Sequence, residues 1–212
     1  MTLPLANILL FAGSYLLGSI PFGLLLALLG GKDVRKSGSG NIGANNVARV
    51  VGPLAGILTL FFDAAKGWLP VWLAARLAHG DATTMTIAGA LALAGHCFPI
   101  WLRFHGGKGV ATAAGVFAGL CPAALIGALI LFALVVGFWR YVSLGSIAAA
   151  AALPLLVYLL WAPHFAPPAS LTLGSLAMAA LVIYRHRGNI LRLARGEEPK
   201  FSVKKSRAPR GD

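Results

Sequence analysis

The chain has 212 residues, 58% of them hydrophobic and 11% charged, with a mean hydropathy of +0.80. Soluble domains carry about 25% charged residues, so an ordinary soluble globule is excluded; disorder is excluded because disordered segments are poor in apolar residues. Eighteen Lys and Arg against six Asp and Glu give a formal net charge of +12, and these cations lie between apolar runs and in the tail, a pattern of membrane orientation rather than nucleic-acid binding.

At about 20 residues per helical crossing, residues 1–212 read as one all-α, polytopic membrane domain. Residues 1–31 are uncharged and hold one span, roughly Leu3 to Gly30, without the basic start of a cleavable signal. A polar, Gly-rich stretch runs from Lys32 to Arg49. The next span, about Pro53 to Leu77, carries Asp63 and Lys66 three apart on one helix face, which predicts an ion pair turned into the bundle. Residues 82–102 give a third span.

Residues 109–139 are uncharged and interrupted at Cys121-Pro122, so they form one long helix or two short ones. Tyr141 to Tyr184 is uncharged again and reads as two spans joined at the proline-rich turn 162–168. Charge decides the ambiguous piece. With the Lys32–Arg49 loop in the cytoplasm, Arg140 and the nine basic residues after Tyr184 fall inside only if 109–139 crosses twice. The expectation is a transmembrane helix bundle of seven spans, N-terminus out and C-terminus in. The helix after Lys108 is then unusually short, and 199–212 forms a basic cytoplasmic tail.

That topology brings three polar segments to one membrane face: KSGSGNIGANNVAR at 36–49, GHCFPIWLRFHGGKGVAT at 95–112 and RHRGNILRLARGEE at 185–198. In the first, Gly38, Gly40 and Gly43 alternate with Ser39, Asn41 and Asn46. Backbone N–H groups there can turn toward an anion while Arg49 adds a charged fork. In the second, Gly106, Gly107, Lys108 and Gly109 precede a helix, the layout of a phosphate site at a helix N-terminus; the Walker A spacing is absent. In the third, His186 and Asn189 share a helix face. Glu197 and Glu198 are expected to pair with neighbouring arginines in a structural role.

Cys97 and Cys121 form no metal-ligand pattern and read as buried free thiols away from the polar loops. The cytoplasmic face offers no carboxylate cluster for two-metal chemistry, and no histidine has an aspartate five residues later. No metal and no cofactor are expected. These residues describe a phosphate-binding membrane protein without an obvious nucleophile, which leaves a transferase and a phosphate-ester carrier both open.

Together the three segments resemble the bacterial acyl-phosphate:glycerol-3-phosphate acyltransferases, whose motifs G-S-G-N-x-G-x-x-N-x-x-R, G-H-x-F-P…G-G-K-G-V-A-T and H-R-x-N-I-x-R-L-x-x-G-x-E occur here in order. The likeness spans essentially the whole chain. Asn45 stands where Thr is frequent in that family, and His105 where Lys is frequent. The resemblance implies transfer of a fatty acyl group from acyl phosphate to the 1-hydroxyl of sn-glycerol 3-phosphate, giving lysophosphatidic acid and phosphate. It implies an inner-membrane enzyme with a cytoplasm-facing site, in contact with membrane lipids, and suggests the acyl-phosphate-producing enzyme as a protein partner.

By motif position the chemistry falls to Ser39, Arg49, Lys108, His186 and Asn189. Substrate and phosphate binding falls to Gly38, Gly40, Asn41, Gly43, Asn46, Gly106, Gly107 and Gly109, with Ser143 or Ser146 reaching the site from RYVSLGSI at 140–147. Glu198 takes the structural role. A carrier or flippase for a phosphorylated glycerol compound is the alternative; it would need access from both faces, and no inverted repeat is evident. A CDP-alcohol phosphotransferase lacks its aspartate-rich motif here.

Overall fold

A computed structural model describes residues 5–161 and 167–201. All regular structure among them is helical. The first apolar run divides into α1 (Leu5–Gly18) and α2 (Phe22–Leu29), broken at Ser19-Ile20-Pro21; α3 (Ala44–Val50) follows the polar stretch, then α4 (Pro53–Leu77) and α5 (Ala82–Cys97). After a short 3-10 turn at Ile100–Leu102 come α6 (Val110–Leu120), α7 (Pro122–Trp139), α8 (Val142–Leu160), α9 (Ala169–Arg185) and α10 (Arg187–Ala194).

Five segments are long and apolar enough to cross a membrane: Leu5–Leu29, Pro53–Leu77, Ala82–Leu102, Pro122–Trp139 and Val142–Leu160. Two shorter apolar helices, Val110–Leu120 and Ala169–Arg185, accompany them. The run 109–139 is two helices, split where Pro122 opens α7 at its first position and needs no N–H partner. Most of the proline-rich turn, 162–166 with His164, and the tail from 202 onward lie outside the described residues.

α4 is the central post. It packs on α6 along its length and also touches α1, α2, α3 and α5. Small residues permit the closest approach: a side chain on Gly67 would strike the Thr112 backbone, and one on Gly115 the Ala64 backbone. α7 and α8 form a second antiparallel pair, with α9 against α8 and α5. The main core joins these layers through Val71, Leu93, Phe117, Leu153, Val157, Leu171 and Met178. The outer faces carry Leu5, Leu54, Ile57, Phe61, Leu134, Phe138 and Leu173, each more than half exposed, an apolar coat that lipid rather than water accommodates.

The predicted pair exists. Lys66 Nζ lies 2.7 Å from Asp63 Oδ1, with both side chains buried, and it donates to Ile20 O at 2.7 Å. The break before Pro21 thus leaves the Ile20 carbonyl outside the helical ladder, where it accepts from Phe22 N at 3.1 Å and from the buried ammonium. His96 Nδ1, 3.6 Å from the same carboxylate oxygen, is a third member not anticipated from sequence.

Two sequence readings change. The stretch Lys32–Arg49 is not all loop: its last third forms α3, because Val47 has a core of its own with Leu24, Ala27, Val34 and Ile42. Cys97 is buried as expected but not remote from the polar loops. It ends α5 directly under the second one, where its carbonyl accepts the Gly106 N–H at 3.2 Å.

Candidate active site

The first polar loop is organised by one side chain. Asn46 is 4% exposed; its Oδ1 accepts from Ser39 N at 2.9 Å, and its Nδ2 donates to Asn41 O (2.8 Å), Val34 O and Ser37 O (both 3.1 Å). The amide is spent on bracing the loop rather than displayed on its surface. Asn41 Oδ1 is occupied by Gly43 N at 2.8 Å. What the brace presents outward is Ser39, exposed between Gly38 and Gly40.

The second loop rests on the end of α5. Gly107 N donates to His96 O at 3.1 Å. A β-carbon on Gly107 would run into the His96 ring, so glycine is required by that close approach. Gly109 caps α6 at φ +82°, where an L side chain is strained. Lys108 is therefore held between two fixed glycines at a helix start.

The third segment clamps the second. Arg185 Nη2 donates to Gly106 O at 2.6 Å and its Nε to Gly107 O at 3.0 Å, with the guanidinium 5.3 Å from the Phe98 ring centroid. Two carbonyls that would otherwise repel an anion are thereby covered by a cation. Nothing local in the sequence shows that the partners of Arg185 lie 78 and 79 residues earlier in the chain.

Glu198 is a hub. Its Oε1 accepts from Ser143 Oγ and Asn189 Nδ2, each at 2.6 Å, and its Oε2 from Arg192 Nε at 2.8 Å. Burial pushes this carboxyl up, but the three donors outweigh it and hold it below its ordinary range. Glu197, also expected to pair with an arginine, makes no ion pair among the described residues. The two candidate serines separate here: Ser143 joins the Glu198 hub, whereas Ser146 bonds Val142 O at 2.9 Å and lines an apolar groove.

His186 is buried at the junction of α9 and α10. Its Nδ1 is 2.8 Å from Val182 O; a carbonyl only accepts, so this nitrogen carries the proton and the neutral ring keeps its lone pair on Nε2. Burial lowers its pKa, and Lys108 adds to that.

These elements enclose a cleft of about 800 Å³ lined by Ser39, Gly40, Asn41, Gly106, Lys108 and Asn189, together with Arg35, His105, Arg185, Arg187 and Arg192. Arg35 is gripped by Asp33 through bonds of 2.9 and 2.8 Å, which hold the Asp33 carboxyl at about 2. Burial, then the nearby Arg192 and Arg185, lower the pKa of Lys108 despite the opposing pull of Glu198. Gly38, Gly43, Asn46, Gly107, Gly109, His186 and Glu198 are not part of this lining. Arg49 is exposed near the C-terminal end of α3, outside the lining.

The match to known proteins agrees with this geometry. A family model described as glycerol-3-phosphate acyltransferase matches residues 8–196. The glycerol-3-phosphate acyltransferase of Trichlorobacter lovleyi is 52% identical over 93% of this chain and 99% of its own length. That of Geobacter sulfurreducens is 48% identical over 94% and 100%. Two crystal structures of PlsY (YgiH), an integral membrane glycerol 3-phosphate acyltransferase, superpose with TM-scores of 0.87 for the glycerol 3-phosphate form and 0.84 for the lysophosphatidic acid form. They share 38% and 37% identity with this chain, each over 93% of it and 96% of that structure. The chain belongs to the glycerol-3-phosphate acyltransferase family, enzymes built into the membrane.

Proposed function

We propose that this enzyme transfers a fatty acyl group from acyl phosphate to the 1-hydroxyl of sn-glycerol 3-phosphate. The observation that carries the reading is one cleft, lined by five cationic side chains from three separated segments, beside an apolar groove that starts at Val110, two residues after Lys108. A donor with a phosphate head and an apolar tail fits that juxtaposition, and the acceptor brings a second phosphate.

In the reaction the 1-hydroxyl oxygen attacks the acyl carbonyl carbon; the tetrahedral oxyanion collapses and expels inorganic phosphate. Acyl phosphate is a mixed anhydride with a good leaving group, so the protein's tasks are alignment and charge stabilisation. Lys108 and the N–H groups at the start of α6 serve the donor phosphate and the oxyanion. Ser39 and Asn189 orient the acceptor, and Arg49 takes the acceptor phosphate by its motif position. The hydroxyl proton passes to substrate phosphate, whose second pKa near 6 suits the task.

The enzyme lies in the bacterial inner membrane with seven spans, its N-terminus outside and this cleft facing the cytoplasm. α6 has 11 residues and α7 has 18. Because they share the Cys121 turn, α6 begins about 10 Å short of the level where α7 ends. The glycine loop is thereby lowered to the depth at which an acyl carbonyl would lie.

The test is direct. Purified enzyme with palmitoyl phosphate and glycerol 3-phosphate, EDTA present, should yield lysophosphatidic acid and phosphate, and acyl-CoA should not replace the donor. Efficient turnover of acyl-CoA, with none of acyl phosphate, would overturn the donor assignment. For orientation, Lys205→Cys should be shielded and Phe165→Cys labelled by an impermeant thiol reagent from outside, in a background without Cys97 and Cys121.

A further inference from the structure

Gly106 and Gly107 are glycines for a reason that lies outside their own loop. Neither has a positive φ, so the backbone itself would accept a side chain at either position. What forbids one is the end of α5. A β-carbon on Gly106 would overlap His96 O, and the three atoms nearest a β-carbon on Gly107 are Nε2, Cε1 and Cδ2 of the His96 ring.

The loop is therefore seated on one residue. Its Gly107 N–H donates to His96 O at 3.1 Å, and the outer edge of the ring lies under the Gly107 α-carbon. From the opposite side Arg185 holds the Gly106 and Gly107 carbonyls at 2.6 and 3.0 Å. The two glycines are pressed between an imidazole and a guanidinium, and Lys108 follows at once.

The ring is held in turn. His96 is buried, and its Nδ1 has no hydrogen-bond partner among the described residues. That nitrogen faces Asp63 Oδ1 at 3.6 Å, longer than a hydrogen bond. The carboxylate's field is little screened in so buried a place and still sets which way the ring faces. Asp63 is tied to Lys66, and Lys66 to Ile20 O, each at 2.7 Å. The break after α1, the post α4 and the end of α5 thus meet in one polar cluster, and the ring edge under Gly107 is its upper surface.

We infer that His96 is a positioning residue for the phosphate loop: its ring sets the height of Gly107, and through it the aim of Lys108 and of the N–H groups that open α6. The inference rests on the reading that this loop holds a substrate phosphate. A misplacement of about 1 Å in a group that aligns reacting partners costs about a hundredfold in rate. A side chain that fixes the loop's height therefore acts on turnover without touching substrate.

The experiment is a double-mutant cycle between ring and glycine. kcat and KM for palmitoyl phosphate and glycerol 3-phosphate are measured in detergent for wild type, Gly107→Ala, His96→Ala and the double variant, with thermal unfolding of each alongside. Gly107→Ala should lower kcat/KM about a hundredfold, because the new methyl lifts the loop off the ring. His96→Ala should lower it too, since the loop loses its floor. In that background Gly107→Ala should cost almost nothing further, because the ring it would strike is gone. A ring that only stabilised the bundle would shift unfolding temperatures without coupling activity to residue 107. Equal losses from Gly107→Ala in both backgrounds, or wild-type kcat/KM in His96→Ala, would overturn the inference. His96→Asn keeps a polar group beside Asp63 and withdraws the ring atoms that face Gly107, so it carries the same cycle if His96→Ala does not fold. If neither folds, the ring belongs to the frame alone and the inference fails. Should wild type turn over no palmitoyl phosphate, the donor assignment falls, and the cycle is read from calorimetric binding of inorganic phosphate instead. Coupled losses of phosphate affinity would then leave the role of His96 standing, and additive ones would remove it.

Discussion

Lys66 and Lys108 are both lysines drawn out of bulk water, and the protein treats them in opposite ways. Lys66, 3% exposed, has an aspartate at 2.7 Å, a carbonyl at 2.7 Å and the Phe22 ring centroid at 5.6 Å. Lys108 makes no ion pair among the described residues. The acid that most favours its charge, Glu198, is committed to Ser143, Asn189 and Arg192. Its other charged neighbours are arginines. A compensated cation inside a bundle is part of the frame; a half-buried cation among cations is a place prepared for an anion.

The largest expected effect separates the two by what they lose. Lys108→Ala should lower kcat by about a hundredfold, the scale for removing one preorganised charge stabiliser, while leaving thermal unfolding in detergent nearly unchanged. Wild-type turnover from Lys108→Ala, or its failure to fold, would erase the distinction.

Next, Asp63→Asn should cost about 3 kcal/mol of stability, because it strands a buried ammonium. Adding Lys66→Met should recover part of that loss, since replacing both partners removes the stranded charge. Denaturation of the single and double variants in one detergent reads this out. A double variant less stable than Asp63→Asn would show that the pair contributes more than mutual neutralisation.

The same contrast explains what the sequence could reveal. Asp63 and Lys66 were legible because a spacing of three on an apolar helix permits one arrangement. Cys121-Pro122 was legible as a helix boundary because proline and the charge balance pointed the same way. His96, Arg185 and the bracing role of Asn46 were not, since each is defined by partners far along the chain: Asp63, the carbonyls of Gly106 and Gly107, and the backbone of Val34. α3 was hidden for a related reason. Its seven residues, ANNVARV, make only about two turns, with small Ala44 and Ala48 beside Val47, and its stability comes from Val47 in the small core under the loop.

A smaller effect concerns the acid that Lys108 does not own. Glu198→Gln keeps a hydrogen-bonding group for Ser143 but removes the charge that Arg192 and Asn189 address, so kcat/KM should fall about tenfold, the scale of one charge-assisted bond. The folded-state pKa of Glu198 is depressed. Its contribution to stability is therefore complete above the unfolded value near 4.3 and is lost as pH falls through the folded one. Wild type and Glu198→Gln should differ in unfolding temperature at neutral pH and converge in acid. A constant difference across that range would mean that Glu198 acts by shape alone.

The smallest expected effect falls on His186, the one histidine of the third motif. His186 is neutral at pH 7, because burial lowers its pKa and Lys108 lowers it further against the Val182 carbonyl and Glu198. The unfolded chain binds that proton more readily, so stability should rise with pH across the window below about 6.5. A lone pair on Nε2 makes the ring chemically able to accept a proton, yet it is not part of the cleft lining. The acceptor's phosphate, by contrast, arrives with the hydroxyl that must lose its proton. His186→Asn can still donate to Val182 O, so it should fold, lose the acid-side drop in stability, and retain measurable turnover. Its pH–rate profile should keep an acid limb near 6, the second pKa of the substrate phosphate. If the variant binds glycerol 3-phosphate normally but does not turn over, the imidazole is the proton acceptor, and a buried neutral histidine belongs with Lys108 among the groups that touch substrate.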